Sequence, residues 1–133
     1  MRMIRTFVAL AVLSTMAACA SLNPVSKAET TEQKAYALYG TFVIFEEQAA
    51  KLVQSPEVPA NVKQALRDAD KAAKPAADAV LDGVQTVLTV RRQLLAGETT
   101  EERLAIAVSN LNLWYSTARP KVEQLVKVVK GAE

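Results

Sequence analysis

The chain has 133 residues, with 16 Lys plus Arg against 14 Asp plus Glu, a single cysteine and no histidine. That length suits one domain with a real hydrophobic core. Without histidine and with one cysteine, zinc centres built on those residues, Ser-His-Asp triads and an internal disulfide are all excluded.

Residues 1–18 open with Arg2 and Arg5, continue in an apolar run from Phe7 to Leu13 and close on small residues before Cys19, the layout of an export signal. Met16-Ala17-Ala18-Cys19 resembles the lipobox of bacterial lipoproteins, although Met is less usual at its first position than Leu, Val or Ile. The resemblance covers only about the first twenty residues. It implies cleavage between Ala18 and Cys19, with fatty acyl chains such as palmitate carried on the new N-terminal cysteine. The competing reading is an ordinary signal cut at Ala18 or Ala20. Ala20 and Ser21 stand where lipoproteins kept in the inner membrane often carry Asp, so in a Gram-negative cell the resemblance implies the outer membrane, facing the periplasm. The mature part resembles no particular family.

Loss of Arg2 and Arg5 with the signal leaves 14 charges of each sign in the mature chain. These alternate along the sequence rather than cluster, so nucleic acid is not an expected partner. Beyond the signal, no apolar run approaches the roughly 18 residues that cross a bilayer, and the acyl chains would be the membrane attachment.

Three segments follow from this reading: a signal peptide at 1–18, a lipidated cysteine with a polar tether at 19–30, and a helical domain at 31–133. The tether, with Pro24 and Ser26, reaches at most about 35 Å when extended.

The first helix is expected from about Thr31 to Val53, with its apolar stripe on Ala35, Leu38, Phe42, Phe45, Ala49 and Leu52. Steps of three and four keep such residues on one face. Gln54 to Pro59 interrupts it, with Pro59 suited to a first helical position. The second helix carries Val62, Leu66, Ala69, Ala73, Ala76, Val80, Gly83, Val87, Val90 and Leu94 in the same rhythm, and Gly97 ends it. Its small core residues are expected to make room for Tyr36, Tyr39, Phe42 and Phe45 of the first helix. Thr99, with Glu102 three residues on, reads as a capping box for the third helix. That helix repeats Leu104, Val108, Leu111, Tyr115, Ala118, Val122, Leu125 and Val129 and stops at Gly131.

The fold class expected is all-α: an antiparallel up-down-up three-helix bundle. Its second and third helices would be long and kinked at Pro75 and Pro120, because proline removes a backbone N–H and crowds the carbonyl four residues back. Matching the turns puts Pro75, Pro120 and Gly40 at one level.

Few side chains offer chemistry. Glu46 with Glu47, or Asp78 with Asp82, could hold a cation, but Lys63, Arg67 and Lys74 nearby favour a solvated ion-paired face. Trp114 and Tyr115, among Asn110, Asn112 and Ser116, could form a sugar platform; the helical spacing instead packs Tyr115 in the stripe with Trp114 at its flank. No phosphate-binding loop appears, and neither an enzymatic activity nor a cofactor is expected.

The expected role is a membrane-anchored, non-enzymatic interaction or structural module of the cell envelope, working on a protein partner or on a second copy. The alternative is a carrier that opens to hold an apolar ligand or lipid near Phe42, Phe45 and Val80. The candidate surface is the far end of the hairpin between the second and third helices, around Leu88, Arg91, Arg92, Leu95 and Leu104. Helix one should begin level with about Val84, leaving roughly 20 Å of hairpin beyond it at 1.5 Å per residue.

Overall fold

The computed structural model describes residues 30–133; the signal, Cys19 and most of the tether lie outside the described residues. Three helices account for nearly all of this span: α1 (Thr31–Gln54), α2 (Ala60–Leu95) and α3 (Glu101–Ala132). Every pair of them is in contact, with α2 and α3 sharing the longest seam.

Each boundary has a local cause. Thr30 caps α1 through a full capping box: its hydroxyl accepts from the Gln33 amide while the Gln33 side chain accepts from the Thr30 amide. Pro59 is the residue before the first turn of α2 rather than within it, and its carbonyl accepts from Lys63 N. At the far end of α2 the amides of Gly97 and Glu98 return to the carbonyls of Leu94 and Gln93, and Gly97 holds φ at +74°. That pair of bonds is the Schellman closure, which a residue with a β-carbon makes only under strain. Thr100, not Thr99, caps α3, accepting from the Arg103 amide. The expected Thr99–Glu102 capping box does not form: the cap is one residue on, and Arg103 at its third helical position has no acceptor to return the bond. At its other end α3 runs past Gly131 to Ala132.

Contacts between helices show how they run. As α1 advances from Glu32 to Glu46, its ion-pair partners on α2 retreat from Arg91 to Lys74. Between α1 and α3 the partners advance together, from Thr31 with Asn112 to Phe45 with Lys130. α2 is thus antiparallel to α1, and α3 parallel to it.

The core is continuous, and among the described residues no polar or charged residue is buried in it. Phe42, Leu66, Val80, Val84, Val87, Leu111, Val122, Leu125 and Val129 are its largest fully buried members. Seven buried alanines fill the places between, among them Ala35, Ala73 and Ala118. Small residues let the helix axes approach closely, so few large side chains are needed to close the seam.

The stripe of α1 falls where the spacing puts it, that of α3 adds a buried Ala107 beside partly buried Leu104 and Val108, and that of α2 is broader than expected. Ala77 and Val84 are fully buried and Ala76 only partly. Like α1 and α3, α2 packs against both other helices. Ala77, Val84 and Arg91 recur every seven residues on the side that reaches Glu32 of α1, while Gly83 lies against Leu111 and Trp114 of α3.

Both prolines are exposed, and each helix is continuous through its proline. On the outer face the lost backbone bond leaves a carbonyl that water can satisfy, so the helix need not end. The Gly83–Leu111 contact places Pro75 close to the level of Pro120. Gly40 is exposed, and an added β-carbon there would touch nothing within 4 Å, so close approach is not what selects glycine at that position.

Candidate interaction surface

α1 is the shortest helix, and its first turn meets α3 at Asn112, where the Thr31 hydroxyl donates to Oδ1 at 3.2 Å. Residues 101–111 of α3 therefore pass beyond α1 by about 16 Å, together with the last turn of α2, past Arg91. The α1-facing side of this overhang is an open groove of about 530 Å³ bordered by Leu94, Leu104, Val108 and Asn112.

The residues expected to form the working surface divide here. Leu95 stands at the hairpin tip and is 86% exposed, and Leu88 is 44% exposed. Leu104 is partly buried against the core. Arg92 is exposed. Arg91, by contrast, is ion-paired to Glu32 across the α1–α2 seam, so its guanidinium ties the overhang to α1. Within the same hairpin Val87 and Leu111 are fully buried and Ala107 nearly so. Much of the apolar surface expected to need an outside cover is covered by the bundle itself.

The carboxylates do not assemble into a reactive centre. Glu46 accepts from Lys74 Nζ at 3.2 Å, Asp78 lies 4.0 Å from the same ammonium, and Glu47 pairs with Lys51 at 2.7 Å. Hydrogen bonding and the charges of Glu46 and Asp78 raise the Lys74 pKa, while Lys51 lowers that of Glu47. Among the described residues no group of three potential ligands could hold a metal ion.

Asp70 is not among these pairs. It lines a second groove, of about 450 Å³, with Val43, Glu46 and Arg67. Its Oδ1 is buried without a hydrogen-bond partner. Burial first, and the nearby Glu46 charge second, push its pKa above the ordinary carboxylate range, with Lys74 opposing.

The aromatic series of α1 splits by face: Phe42 is buried, Tyr39 and Phe45 pack at the core's edge, and Tyr36 is 59% exposed. The room left by Gly83 goes not to these residues but to Trp114 of α3. Trp114 and Tyr115 are both half-buried against the core, and the Asn112 amide is engaged by Thr31. The alternative of a sugar platform therefore loses most of its surface to packing.

A second exposed surface was not singled out from the sequence. On the outer face of α3, Ile106 is 54% and Leu113 64% exposed. The signal for it is present in the chain: residues 104–118, between Arg103 and Arg119, contain no charged side chain. No described helix is long and apolar enough to cross a membrane. Comparison of the chain with protein-family models, with curated proteins and with solved structures gives no match.

Proposed function

We propose that this chain is a small envelope lipoprotein, anchored by acyl chains on Cys19, whose helical bundle is a non-enzymatic interaction module. In a Gram-negative cell it would sit on the outer membrane, facing the periplasm. The observation that carries this reading is the pairing of a lipobox-like Met16-Ala17-Ala18-Cys19 with a hairpin that overhangs α1 at the end where the tether enters. Leu88 and Leu95 are the apolar side chains exposed on that hairpin's α2 arm. Exposed leucines at the edge of a compact bundle cost little to the monomer and supply contact area to a partner.

The packed interior favours this reading over a ligand carrier. Phe42 and Val80 are 1% and 0% exposed, so a carrier would have to part all three helices to reach them. The ion-paired carboxylates likewise support a binding role over catalysis.

The test is crosslinking in intact envelopes with Leu88→Glu and Leu95→Glu variants, alongside the parent chain. Loss of crosslinked partner with unchanged helix content supports the hairpin as the working surface. Crosslinking that persists in both variants removes it from that role.

A further inference from the structure

We propose that the outer face of α3 binds a second copy of this chain, in an antiparallel helix pair whose two-fold axis passes between Ser109 and Asn110. The lipoprotein reading enters only through membrane confinement; the surface itself is argued from α3.

Ile106 and Leu113 lie seven residues apart, two turns of helix and roughly 10 Å, so they project from one face. Both are more than half exposed, on a helix whose opposite side already supplies Leu111, Val122 and Leu125 to the core. Small side chains surround them. The Ser116 hydroxyl donates to the Asn112 carbonyl at 2.8 Å and that of Thr117 to the Leu113 carbonyl at 2.9 Å. Their donor protons are already satisfied within the helix, so covering them with another helix removes less hydration than their residue type suggests. The fifteen-residue stretch is thus uncharged and bounded by charge at both ends, with Ser109 and Asn110 as the exposed polar residues at its centre.

Those ends select the orientation. The N-terminal border is acidic, with Glu98, Glu101 and Glu102 against Arg103 alone. The C-terminal border is basic: Arg119 is neutralised by Glu123 at 2.7 Å, leaving Lys121 and Lys127 in excess. Antiparallel pairing sets acidic ends beside basic ends, whereas parallel pairing sets like beside like. With the axis between Ser109 and Asn110, Ile106 of each copy meets Leu113 of the other, and the end that begins at Glu101 and Glu102 lies toward the end that carries Arg119 and Lys121 of the other. Two large apolar residues per copy make a modest contact, which confinement to a membrane surface would raise by effective concentration.

The experiment uses the processed, acylated full chain in detergent micelles and in phosphatidylethanolamine–phosphatidylglycerol vesicles. Dimer content is read by energy transfer between differently labelled copies, and fatty-acid incorporation is read on the same samples. Ile106→Glu and Leu113→Lys, each alone, are expected to weaken association at least tenfold with helix content unchanged. Together in one chain they should restore it, because residue 106 then faces the opposite charge at residue 113 of the other copy. Asn110→Cys is expected to form a disulfide-linked dimer. A monomeric parent chain in both media, single variants that associate like the parent, or a double variant that stays dissociated would each overturn the proposal. Absence of acylation with dimerisation intact would sink the lipoprotein reading and leave this one standing.

Discussion

Gly83 of α2 lies against the indole of Trp114 of α3: a β-carbon at residue 83 would stand 2.5 Å from Cε3, 2.8 Å from Cζ3 and 3.0 Å from Leu111 Cδ1. This contact joins the two longest helices near the middle of their seam. It also explains a glycine in a helix interior, where its backbone entropy costs about 1 kcal/mol relative to alanine.

Gly83→Ala therefore sets two effects against each other. Alanine gains about 1 kcal/mol of helix propensity, while overpacking costs about 1–3 kcal/mol. Distances under 3 Å leave the ring no choice but to move, so net destabilisation of roughly 1 kcal/mol is expected from urea unfolding. Trp114 is the sole tryptophan, so its fluorescence should shift to the red as the indole is pushed toward water. In a Trp114→Ala background the same substitution should become stabilising. An unchanged sign in that background would show that the ring is not what selects glycine.

The anchor is testable apart from the fold. Cys19→Ser should leave the precursor uncut and abolish incorporation of a fatty-acid analogue, with little change in helix content, because α1 begins eleven residues beyond the cysteine's successor Ala20. Parent chain recovered as a soluble, unlabelled periplasmic species would rule the anchor out.

Periodicity reveals what each helix buries, and much less about what it meets. Leu38, Phe42, Leu66, Val80, Leu111, Val122 and Leu125 recur at steps of three and four and all are buried, because a helix with one neighbour-facing side writes that side into its own spacing. Ala77 and Val84 fall outside the expected stripe of α2, on the side of that helix that reaches Glu32 of α1. The Arg91–Glu32 pair spans 59 residues, and nothing local to either residue announces it. Ile106 and Leu113 are exposed because, among the described residues, no further helix lies on that side of α3; hydropathy alone does not separate them from Leu111. The seating of Trp114 on Gly83 likewise depends on the axial match of two helices, which neither stripe contains.

Adjacent threonines at the start of α3 give a sharp comparison. Thr100 accepts from the Arg103 amide, and losing such a cap costs about 1 kcal/mol. The Thr99 hydroxyl is buried with no hydrogen-bond partner, so its removal relieves an unmet polar group. Thr100→Ala should lower the urea midpoint, while Thr99→Ala should leave it unchanged or raise it. Equal losses at the two positions would contradict this assignment of the cap. Thr30→Ala should also cost about 1 kcal/mol, since it removes the hydroxyl that accepts from the Gln33 amide, while the residue 30 amide can still donate to the Gln33 side chain.

Asp70 makes stability depend on pH in a sense opposite to that of most paired carboxylates. Burial and Glu46 raise its pKa, and Lys74 only partly offsets them. A carboxyl with a folded pKa above its unfolded value binds its proton more tightly in the fold. Its contribution is therefore fully present below the ordinary value of 3.8 and is lost as pH rises through the raised folded value. Asp70→Asn removes the charge while keeping the shape. The variant should be more stable than the parent chain at neutral pH, and the two should converge near pH 3, where Asp70 is protonated in both states. Urea midpoints at the two pH values decide the matter, because the other carboxylates are common to both proteins and cancel in the difference. A variant less stable than the parent at pH 7 would mean that attraction to Lys74 outweighs burial and repulsion by Glu46.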